Sequence, residues 1–206
     1  MNILYIHQYF VTPQEPGATR SYWISQELVK RGHHVTVITG NSESKHIPGR
    51  FDRDGIEVIY VNNFYNNSQT KLQKVGSFIK FIFQAIGSAM KVKNVDLVYA
   101  TSTPLTIGAV ALVLRALKGW KYIFEVRDLW PEFPIQVGAI KNPILIWILR
   151  KFEKMIYKYS EHVVALSPGM QEGVIKAGTA TEKTSMIPNM SKPDIFYPHE
   201  VNTDIA

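Results

Sequence analysis

Short apolar segments alternate with longer segments of helical periodicity along most of the chain. The short segments have the length and composition of buried strands, and they predict strands at residues 3–6, 35–39, 56–61, 96–100, 122–126, 163–166 and 184–187. The longer segments predict helices at residues 19–31, 74–90, 104–118, 143–159 and 168–177. Strand and helix are therefore expected to follow one another along nearly the whole chain.

Proline and glycine mark the ends of several predicted helices. Pro104 suits the first position of a helix, where its missing N–H has no intrahelical partner to lose. Gly32 and Gly119 suit the position that follows the last turn. In the helix at residues 74–90, the apolar spacing places four side chains on the buried side, namely Val75, Phe78, Ile82 and Ala85.

This alternation predicts an α/β fold, with a Rossmann-like, mostly parallel sheet and helices on both faces. The strands lack polar alternation, which agrees with a sheet that is covered on both sides. Ligands of such sheets bind outside the carboxyl ends of the strands. Four segments should meet at that edge and hold the chemistry, namely residues 7–20, 101–103, 127–132 and 167–169.

The segment at residues 7–20 joins a strand to a helix and is a candidate anion site. Gly17 allows the backbone to approach a ligand closely, and the free amides at the start of the helix attract negative charge. Arg20 offers a charged fork for phosphate, and His7 and Thr19 are further candidate substrate ligands. The alternative is a plain loop with a glycine for turning. The G-x-G-x-x-G pattern of dinucleotide-binding proteins is absent.

The segment at residues 127–132 follows another strand and carries two carboxylates, Asp128 and Glu132. One of these carboxylates can orient or polarise a sugar hydroxyl at this edge of the sheet. Arg127 and Glu132 are candidate substrate ligands, and Trp130 can cover a sugar face. The alternative is a surface loop that contains an Arg127–Asp128 ion pair and a packed tryptophan.

Two further polar segments favour a structural interpretation. Ser102 and Thr103 can hydrogen-bond substrate hydroxyls, but Thr103 directly precedes a proline and is favoured as the cap of the next helix. The sequence D-R-D at residues 52–54 resembles the D-x-D motif that holds a metal–nucleotide in a different transferase fold. A turn is favoured there, because no convincing strand precedes the motif and Gly55 follows it.

Composition narrows the chemistry. The 206 residues contain no cysteine, which excludes disulfides, thiolate metal sites and a thiol nucleophile. The six histidines do not cluster with carboxylates at the spacing of metal ligands, so neither a metal nor another cofactor is predicted. The start of the chain lacks the basic region of a signal peptide, which predicts a cytoplasmic location.

The net charge of +6 indicates an anionic partner. No acidic residue lies between Glu57 and Asp96, where basic and aromatic residues are interleaved as Lys71, Lys74, Phe78, Lys80, Phe81, Phe83, Lys91 and Lys93. The helix at residues 143–159 aligns Trp147 with three cations, Arg150, Lys154 and Lys158. Such helix faces suit an anionic membrane surface, with a solvated basic face as the alternative. No nucleic-acid-reading module is present, so nucleic acid is not an expected partner.

Together these segments resemble one known family. The opening N-I-L-Y-I-H-Q-Y-F, the motif P-G-A-T-R and the helix end K-R-G-H-H-V resemble family 4 retaining glycosyltransferases of the two-domain GT-B architecture. The stretch R-D-L-W-P-E at residues 127–132 resembles a subgroup similar to L-fucosamine transferases, which builds bacterial surface polysaccharides. The stretches at residues 187–189 and 194–198 resemble the family's hinge into its second domain.

The resemblance implies that residues 1–190 form the N-terminal, acceptor-side domain, and that residues 191–206 lead towards a C-terminal domain that binds the donor. It implies retaining transfer of a hexose from a nucleotide sugar, usually a UDP-sugar, with the isolated chain inactive. It places the Gly17 amide at the donor diphosphate and Asp128 near the anomeric carbon and the acceptor hydroxyl. Together with the basic helices, it predicts a polyprenyl-diphosphate-linked sugar as acceptor, at the inner face of the cell membrane.

Two other functions fit parts of the sequence. A nucleotide- or sugar-binding module without catalysis would have the same Rossmann-like fold. An oxidoreductase is disfavoured, because the chain lacks both the glycine fingerprint and the acidic residue expected about 20 positions further on.

Overall fold

The computed structural model describes residues 1–42, 46–65 and 68–190. The strands of this part of the chain are β1 Asn2–Ile6, β2 His34–Ser42, β3 Gly49–Arg53, β4 Ile56–Tyr65, β5 Leu97–Thr101, β6 Tyr122–Val126, β7 His162–Ala165 and β8 Thr184–Met186. Its α-helices are α1 Arg20–Lys30, α2 Lys71–Ala89, α3 Ile107–Lys118, α4 Glu132–Gln136, α5 Pro143–Tyr159 and α6 Pro168–Lys176.

All these strands form one sheet in the order β3-β4-β2-β1-β5-β6-β7-β8. Neighbouring strands are parallel except for β3 and β4, which pair antiparallel at one edge. Hydrophobic clusters cover both faces of the sheet. Leu4 of β1 lies in one cluster with Phe81 of α2 and Ile156 of α5. Tyr5, the next residue, lies in the other cluster with Tyr22 of α1. The predicted α/β class, with a mostly parallel sheet covered on both sides, is confirmed.

The position of β1 creates the crevice of the fold. The chain leaves β1 towards β2 and β4 on one side, then returns to β5 on the other side of β1. The loops that follow β1 and β5 therefore diverge at the carboxyl edge of the sheet, which is where doubly wound sheets bind their ligands. The loops after β6 and β7 begin at the same edge, because β1, β5, β6 and β7 are parallel.

Strand β3 corrects the interpretation of the D-R-D segment. No convincing strand was expected before this segment. That expectation was wrong, because Asp52 and Arg53 are the last residues of β3. The turn itself is confirmed. Asp54 and Gly55 adopt φ angles of 56° and 82°, and the Gly55 amide donates to Asp52 Oδ1 at 3.1 Å. The motif closes a hairpin, whose short strand is mostly exposed and so has no apolar pattern.

The start of α3 corrects a second expectation. The helix begins at Ile107, three residues after Pro104, and Thr106 directly precedes it. Thr103 therefore does not cap α3, and its hydroxyl instead donates to Asp128 at 2.8 Å. The predicted end is confirmed, because Gly119 follows the last turn in the left-handed conformation with φ 69°.

The buried side of α2 is rotated from the predicted one. The side chains that turn inward are spaced four apart and mostly small, namely Ser77, Phe81, Ala85 and Ala89. Val75 is 52% exposed, contrary to the expectation, while Ala85 is buried as expected. Small residues at these positions let the helix lie close to the sheet. Larger apolar residues of α2 are left on the exposed side.

Helix α5 confirms its predicted bounds. Asn142 caps it by accepting hydrogen bonds from the amides of Ile144 and Leu145, and Pro143 occupies its first turn. The segment before it, in which no helix or strand was predicted, contains the short helix α4. Within the described residues, no helix combines the length and the apolarity needed to cross a membrane. The predicted hinge at residues 191–206 lies outside the described residues.

Candidate functional site

A cleft of about 700 Å³ lies outside the carboxyl edge of the sheet. Its walls come from the loops that follow β1, β2, β5, β6 and β7. Gly17 and Asp128 both line it, although they are 111 positions apart in sequence. The convergence of these two distant loops follows from the parallel sheet, which brings the ends of β1 and β6 to the same edge.

The predicted site residues divide into four groups by position, of which Glu132 alone is the last. The cleft itself is lined by His7, Gly17, Thr103, Arg127 and Asp128. Thr19 and Arg20 line a second, wider groove that shares the Gly17 loop and Arg127 with the cleft. Ser102 is buried at the end of β5, where its hydroxyl accepts from the Arg127 amide at 2.8 Å.

Glu132 lies away from the cleft, at the first residue of α4. Its carboxylate accepts a hydrogen bond from Arg150 of α5 at 3.0 Å, in an ion pair that is about half exposed. Trp130 is partly buried against the main hydrophobic cluster. In this arrangement Glu132 and Trp130 hold the loop against α5, so a substrate role for Glu132 stays a prediction.

Gly17 occupies a position that other residues rarely adopt. Its φ angle is 144°, and a Cβ atom added there would lie 3.0 Å from a methyl group of Val11. Both the backbone conformation and the space therefore favour glycine. Thr19, two residues after Gly17, accepts a hydrogen bond from the indole N–H of Trp23 at 3.1 Å, which fixes the start of α1.

Asp128 presents an exposed carboxylate to the cleft. Oδ2 accepts the hydrogen bond from Thr103, so the ends of β5 and β6 are joined across the cleft floor. The alternative of an Arg127–Asp128 ion pair is not what the structure shows, because Arg127 Nη1 instead lies 3.2 Å from His7 Nε2. The carboxylate keeps lone pairs that can accept a hydrogen bond from a ligand hydroxyl.

His7 is buried beneath the cleft between two partners. Nδ1 lies 2.9 Å from the hydroxyl of Ser21, and Nε2 faces Arg127. Burial and the positive charge of Arg127 lower the pKa of His7 to about 3. The imidazole is therefore neutral at physiological pH, and it cannot serve as a proton donor to substrate there.

Arg20 forms a buried ion pair with Glu125 of β6. Nε and Nη2 lie 3.0 Å and 2.9 Å from Glu125 Oε1, and both side chains are almost fully buried. Nη1 and Nη2 also donate to the carbonyls of Pro188 and Ile187 at 2.6 Å and 2.8 Å. The guanidinium thus ties α1 and β6 to the segment that follows β8. Its predicted role as a phosphate ligand stays a prediction, and each of its nitrogens already has a protein acceptor.

A Glu15–His46 pair at the cleft was not identified from the sequence. The two side chains are 2.6 Å apart, and the His46 ring stacks on Tyr60 with 4.1 Å between centroids. Partial burial opposes ionisation of Glu15, but hydrogen bonds from Thr12 and the contact with His46 outweigh it and lower the pKa of Glu15. The residues are 31 positions apart in irregular segments, so no periodicity in the sequence could pair them.

The second groove runs along α1 and has a volume of about 1140 Å³. Its lining is mainly apolar and includes Trp23, Ile24 and the segment after β8 with Ile187 and Met190. Arg127 and Gly17 contribute to this groove and to the cleft. The two surfaces are therefore continuous at the carboxyl edge of the sheet.

Comparison with known proteins identifies the fold and the family. The family described as "Glycosyl transferase 4-like domain" matches residues 17–190. Sucrose-phosphate synthase from Thermosynechococcus elongatus has a TM-score of 0.69 at 16% identity, over 96% of this chain and 50% of that chain. Anabaena HepE in complex with UDP and glucose has a TM-score of 0.51 at 17% identity, over 95% and 46% of the two chains.

A third similar structure is the Arabidopsis thaliana protein UGT89C1 complexed with UDP, with a TM-score of 0.57 at 11% identity. That match covers 93% of this chain and 49% of the other. The chain spans about half the length of these structures. No curated protein matches the sequence. The sheet and its helices thus correspond to a Rossmann-like half of a GT-B structure.

Proposed function

The chain belongs to the glycosyl transferase 4-like family, and from this premise we propose that it forms the acceptor-binding side of a retaining glycosyltransferase. The observation that carries the proposal is the cleft in which Gly17, Arg127 and Asp128 meet at the carboxyl edge of the sheet. The cleft combines three features. The backbone at Gly17 can approach an anion closely, Arg127 supplies a cation, and Asp128 supplies an exposed carboxylate. These are the groups that a sugar diphosphate and an attacking hydroxyl require.

The proposed reaction transfers a hexose with retention at the anomeric carbon. The acceptor oxygen bonds to the anomeric carbon on the face from which the diphosphate departs, and the bond between that carbon and the diphosphate oxygen breaks. The proton of the acceptor hydroxyl passes to the departing phosphate oxygen, so the protein need not supply a strong base. Asp128 orients the acceptor hydroxyl, and the Gly17 amide faces the diphosphate.

The proposed donor is a UDP-sugar. Two of the similar structures are described as complexes with UDP, which supports a nucleotide-sugar donor for this chain as well. The proposal includes no metal or other cofactor, in line with the unclustered histidines of the sequence. Activity is therefore expected to persist in excess EDTA.

The proposal includes a C-terminal domain that binds the donor, reached through residues 191–206. The apolar groove along α1 supports it, because Ile187, Asn189 and Met190 line that groove as the chain approaches residue 191. Arg20 holds the same segment through the carbonyls of Ile187 and Pro188. We expect the isolated chain to bind ligand weakly and to be inactive in transfer.

The proposed acceptor is a polyprenyl-diphosphate-linked sugar, or another saccharide, used in bacterial surface polysaccharide synthesis as by L-fucosamine transferases. Support comes from the large exposed apolar side chains of α4 and α5, which together we term the α4–α5 face, namely Phe133, Val137, Ile144, Leu145, Trp147 and Ile148. Ile144 is 69% exposed and Trp147 62% exposed, and Lys151 lies 5.8 Å from the centroid of the Trp147 ring. Large exposed apolar groups flanked by cations suit the surface of an anionic membrane.

The position of the α4–α5 face agrees with a membrane-bound acceptor. Helix α4 follows the cleft residue Asp128 by a few positions, and the Glu132–Arg150 pair joins α4 to α5. Helix α5 leads into β7, which is parallel to the rest of the central sheet, so its first residue lies near the carboxyl edge. A membrane on this face would present lipid-linked sugars beside the cleft, at the cytoplasmic surface that we propose as the location.

Flotation with vesicles tests the membrane contact. The chain should float with vesicles that contain phosphatidylglycerol and remain below those of pure phosphatidylcholine, and high salt should reduce flotation. Trp147→Ser and Lys151→Glu should each weaken flotation. Lys121→Glu, an exposed lysine at the start of β6, is the matched control and should float like the wild type. Equal recovery with both vesicle types would exclude the membrane contact.

A screen of nucleotide sugars tests the transferase function. The polypeptide that combines this chain with a donor-binding domain should hydrolyse one nucleotide sugar slowly and transfer its sugar to an acceptor. The product linkage, determined by NMR, should keep the anomeric configuration of the donor. Binding of a nucleotide sugar without any turnover would instead favour a non-catalytic binding module.

A further inference from the structure

Two buried groups of hydrogen-bonded side chains, which together we term the relay, lie between the cleft and Glu125. The first is Arg127, His7 and Ser21, and the second is Tyr5, Thr101 and Glu125. Thr101 Oγ1 lies 3.0 Å from the Tyr5 hydroxyl and 3.0 Å from Glu125 Oε2. Apart from Arg127, every member is at most 1% exposed. Water therefore does not replace any of these bonds.

The two ends of the relay fix the direction of the hydrogen bonds next to them. Arg127 only donates, so His7 Nε2 must accept, and the neutral ring carries its proton on Nδ1. Nδ1–H then donates to Ser21. At the other end, the Glu125 carboxylate only accepts, so the Thr101 hydroxyl donates to it.

The Tyr5 hydroxyl lies beside Thr101 in the second group. Burial, together with the negative charge of Glu125, raises the pKa of Tyr5 and keeps its proton in place. Tyr5 therefore remains neutral beside the Glu125 carboxylate.

The two arginines at this edge of the sheet differ in whether a carboxylate compensates their positive charge. Arg20 lies against the Glu125 carboxylate, which compensates its charge. Among the contacts of the described residues, Arg127 has a neutral imidazole as its partner and forms no ion pair with a carboxylate. Arg127 also lines both the cleft and the groove along α1. An uncompensated guanidinium at the junction of two cavities is a ready ligand for an anionic group.

We propose that Arg127 is the anion ligand of the cleft, that it takes a phosphate or diphosphate group, and that neutral His7 is the positioning residue that holds its guanidinium. Arg20, by contrast, is assigned to structure. The link to a sugar diphosphate rests on the proposed function, whereas the anion site itself does not. A neutral acceptor at His7 orients the guanidinium without cancelling its charge, which a carboxylate in the same place would do.

The state of His7 can be measured on this chain by NMR, with long-range ¹H–¹⁵N correlation of the imidazole nitrogens. We expect the Nδ1–H tautomer, with no protonation of His7 as the pH is lowered from 8 to 5, where an ordinary histidine with a pKa of about 6.5 would titrate. The charged side chain that faces the ring is Arg127, so Arg127→Leu should raise the pKa of His7. An Nε2–H tautomer, or titration of His7 within that range in the wild type, would overturn the positioning role.

Titration with inorganic diphosphate tests the anion site. Arg127→Gln should weaken binding roughly tenfold or more, since a charge-assisted hydrogen bond is lost. Arg50→Gln, which removes an exposed charge on β3, is the matched control and should bind as the wild type does. His7→Leu should weaken diphosphate binding as Arg127→Gln does. His7→Gln keeps a hydrogen-bond acceptor and should restore part of the binding.

Each result of this titration decides the proposal. Failure of the wild type to bind diphosphate, or equal binding by wild type and Arg127→Gln, overturns it. Diphosphate binding that depends on Arg127, together with no sugar transfer by the polypeptide that includes the donor-binding domain, would keep the anion site and refute the proposed transferase function. Sugar transfer that is unaffected by Arg127→Gln would keep the proposed transferase function and refute the anion site.

Discussion

The hydroxyl of Thr103 donates a hydrogen bond to Oδ2 of Asp128 at 2.8 Å, across 25 residues of sequence. The bond joins the ends of β5 and β6 at the cleft and restrains a carboxylate that is otherwise exposed. A restrained carboxylate loses less freedom when it binds a substrate hydroxyl than a mobile one does. Thr103 is thereby assigned to the support of Asp128.

Asp128→Asn should reduce kcat/KM by roughly 100-fold or more, because a neutral amide oxygen accepts the hydrogen bond of the acceptor hydroxyl more weakly than a carboxylate and orients it less firmly. Thermal unfolding should change little, since the side chain is exposed. Asp96→Asn, at the opposite edge of the sheet, is the matched control and should keep full activity. Wild-type turnover by Asp128→Asn would refute the catalytic assignment.

Replacement of Gly17 by valine should abolish most of the activity. The φ angle of 144° disfavours other residues, and a Cβ atom would press on Val11 at 3.0 Å. Gly32→Ala is an informative comparison, because Gly32 also has a positive φ, 80°, but lies at the far end of α1 with open space around it. Both variants should lose about 1 kcal/mol or more of unfolding free energy. Only Gly17→Val should also lose substrate binding, as measured by calorimetric titration.

Arg20→Met should destabilise the fold by about 3–5 kcal/mol, because it leaves the buried Glu125 carboxylate without its cation. The double variant Arg20→Met, Glu125→Gln should be clearly more stable than Arg20→Met alone, since no buried charge remains. Urea denaturation of the wild type and three variants completes a double-mutant cycle. Purely additive losses would show that the two side chains are not coupled.

Stability should depend on pH through Glu153 of α5. Burial raises the pKa of this carboxyl to about 7 from 4.5, and Glu132 adds to the effect, whereas Tyr157, Arg150 and Lys154 oppose it. Because the folded-state pKa is raised, the protonated group stabilises the fold below pH 4.5, and this contribution is lost as the pH rises through 7.

Glu153→Gln should remove this loss of stability. The free energy of unfolding should rise by on the order of 1–2 kcal/mol at pH 8 and change little at pH 5. Unfolding midpoints in urea at the two pH values provide the measurement. Glu172→Gln, an exposed carboxylate on α6, serves as the control and should leave the profile unchanged. If the stability of Glu153→Gln depended on pH in the same way as that of the wild type, another group would be responsible for the pH dependence.

Gly108 lies where α3 crosses α5, and a Cβ atom there would be 2.2 Å from Cδ1 of Ile156. Gly108→Ala should therefore destabilise by about 1–3 kcal/mol through overpacking, despite the better helix propensity of alanine. Gly87→Ala, in α2 with nothing near its Cβ position, should stabilise by about 0.5–1 kcal/mol. Denaturant midpoints distinguish the two outcomes, and a stabilised Gly108→Ala would contradict the close helix contact.

The strands and helices that face the core were predictable because their apolar periodicity is strong. Strand β3 was not, because most of its residues are exposed at the edge of the sheet and need no apolar pattern. The start of α3 was placed too early, since Pro104 fits the first turn of a helix and also the irregular segment before one. The rotation of α2 depends on which of its faces carries the small residues that approach the sheet.

At the candidate site, the sequence located the Gly17 and Asp128 loops because parallel strands must end at a common edge. It could not assign partners to Arg20 and Arg127, since these depend on side chains from distant strands. One signal for Glu125 was available. A carboxylate within the otherwise apolar strand Tyr122–Val126 must find a buried cation, and Arg20 is that cation.

The burial of the relay has a consequence for how this chain can diverge. Replacing one hydroxyl by a group that only accepts, or only donates, leaves a neighbour unmatched in a place that water does not reach. Related chains should therefore keep Ser21 together with His7, and Tyr5 together with Thr101, or exchange the members of each pair at the same time. Each pair would then be inherited as one unit, even where the surrounding loops change freely.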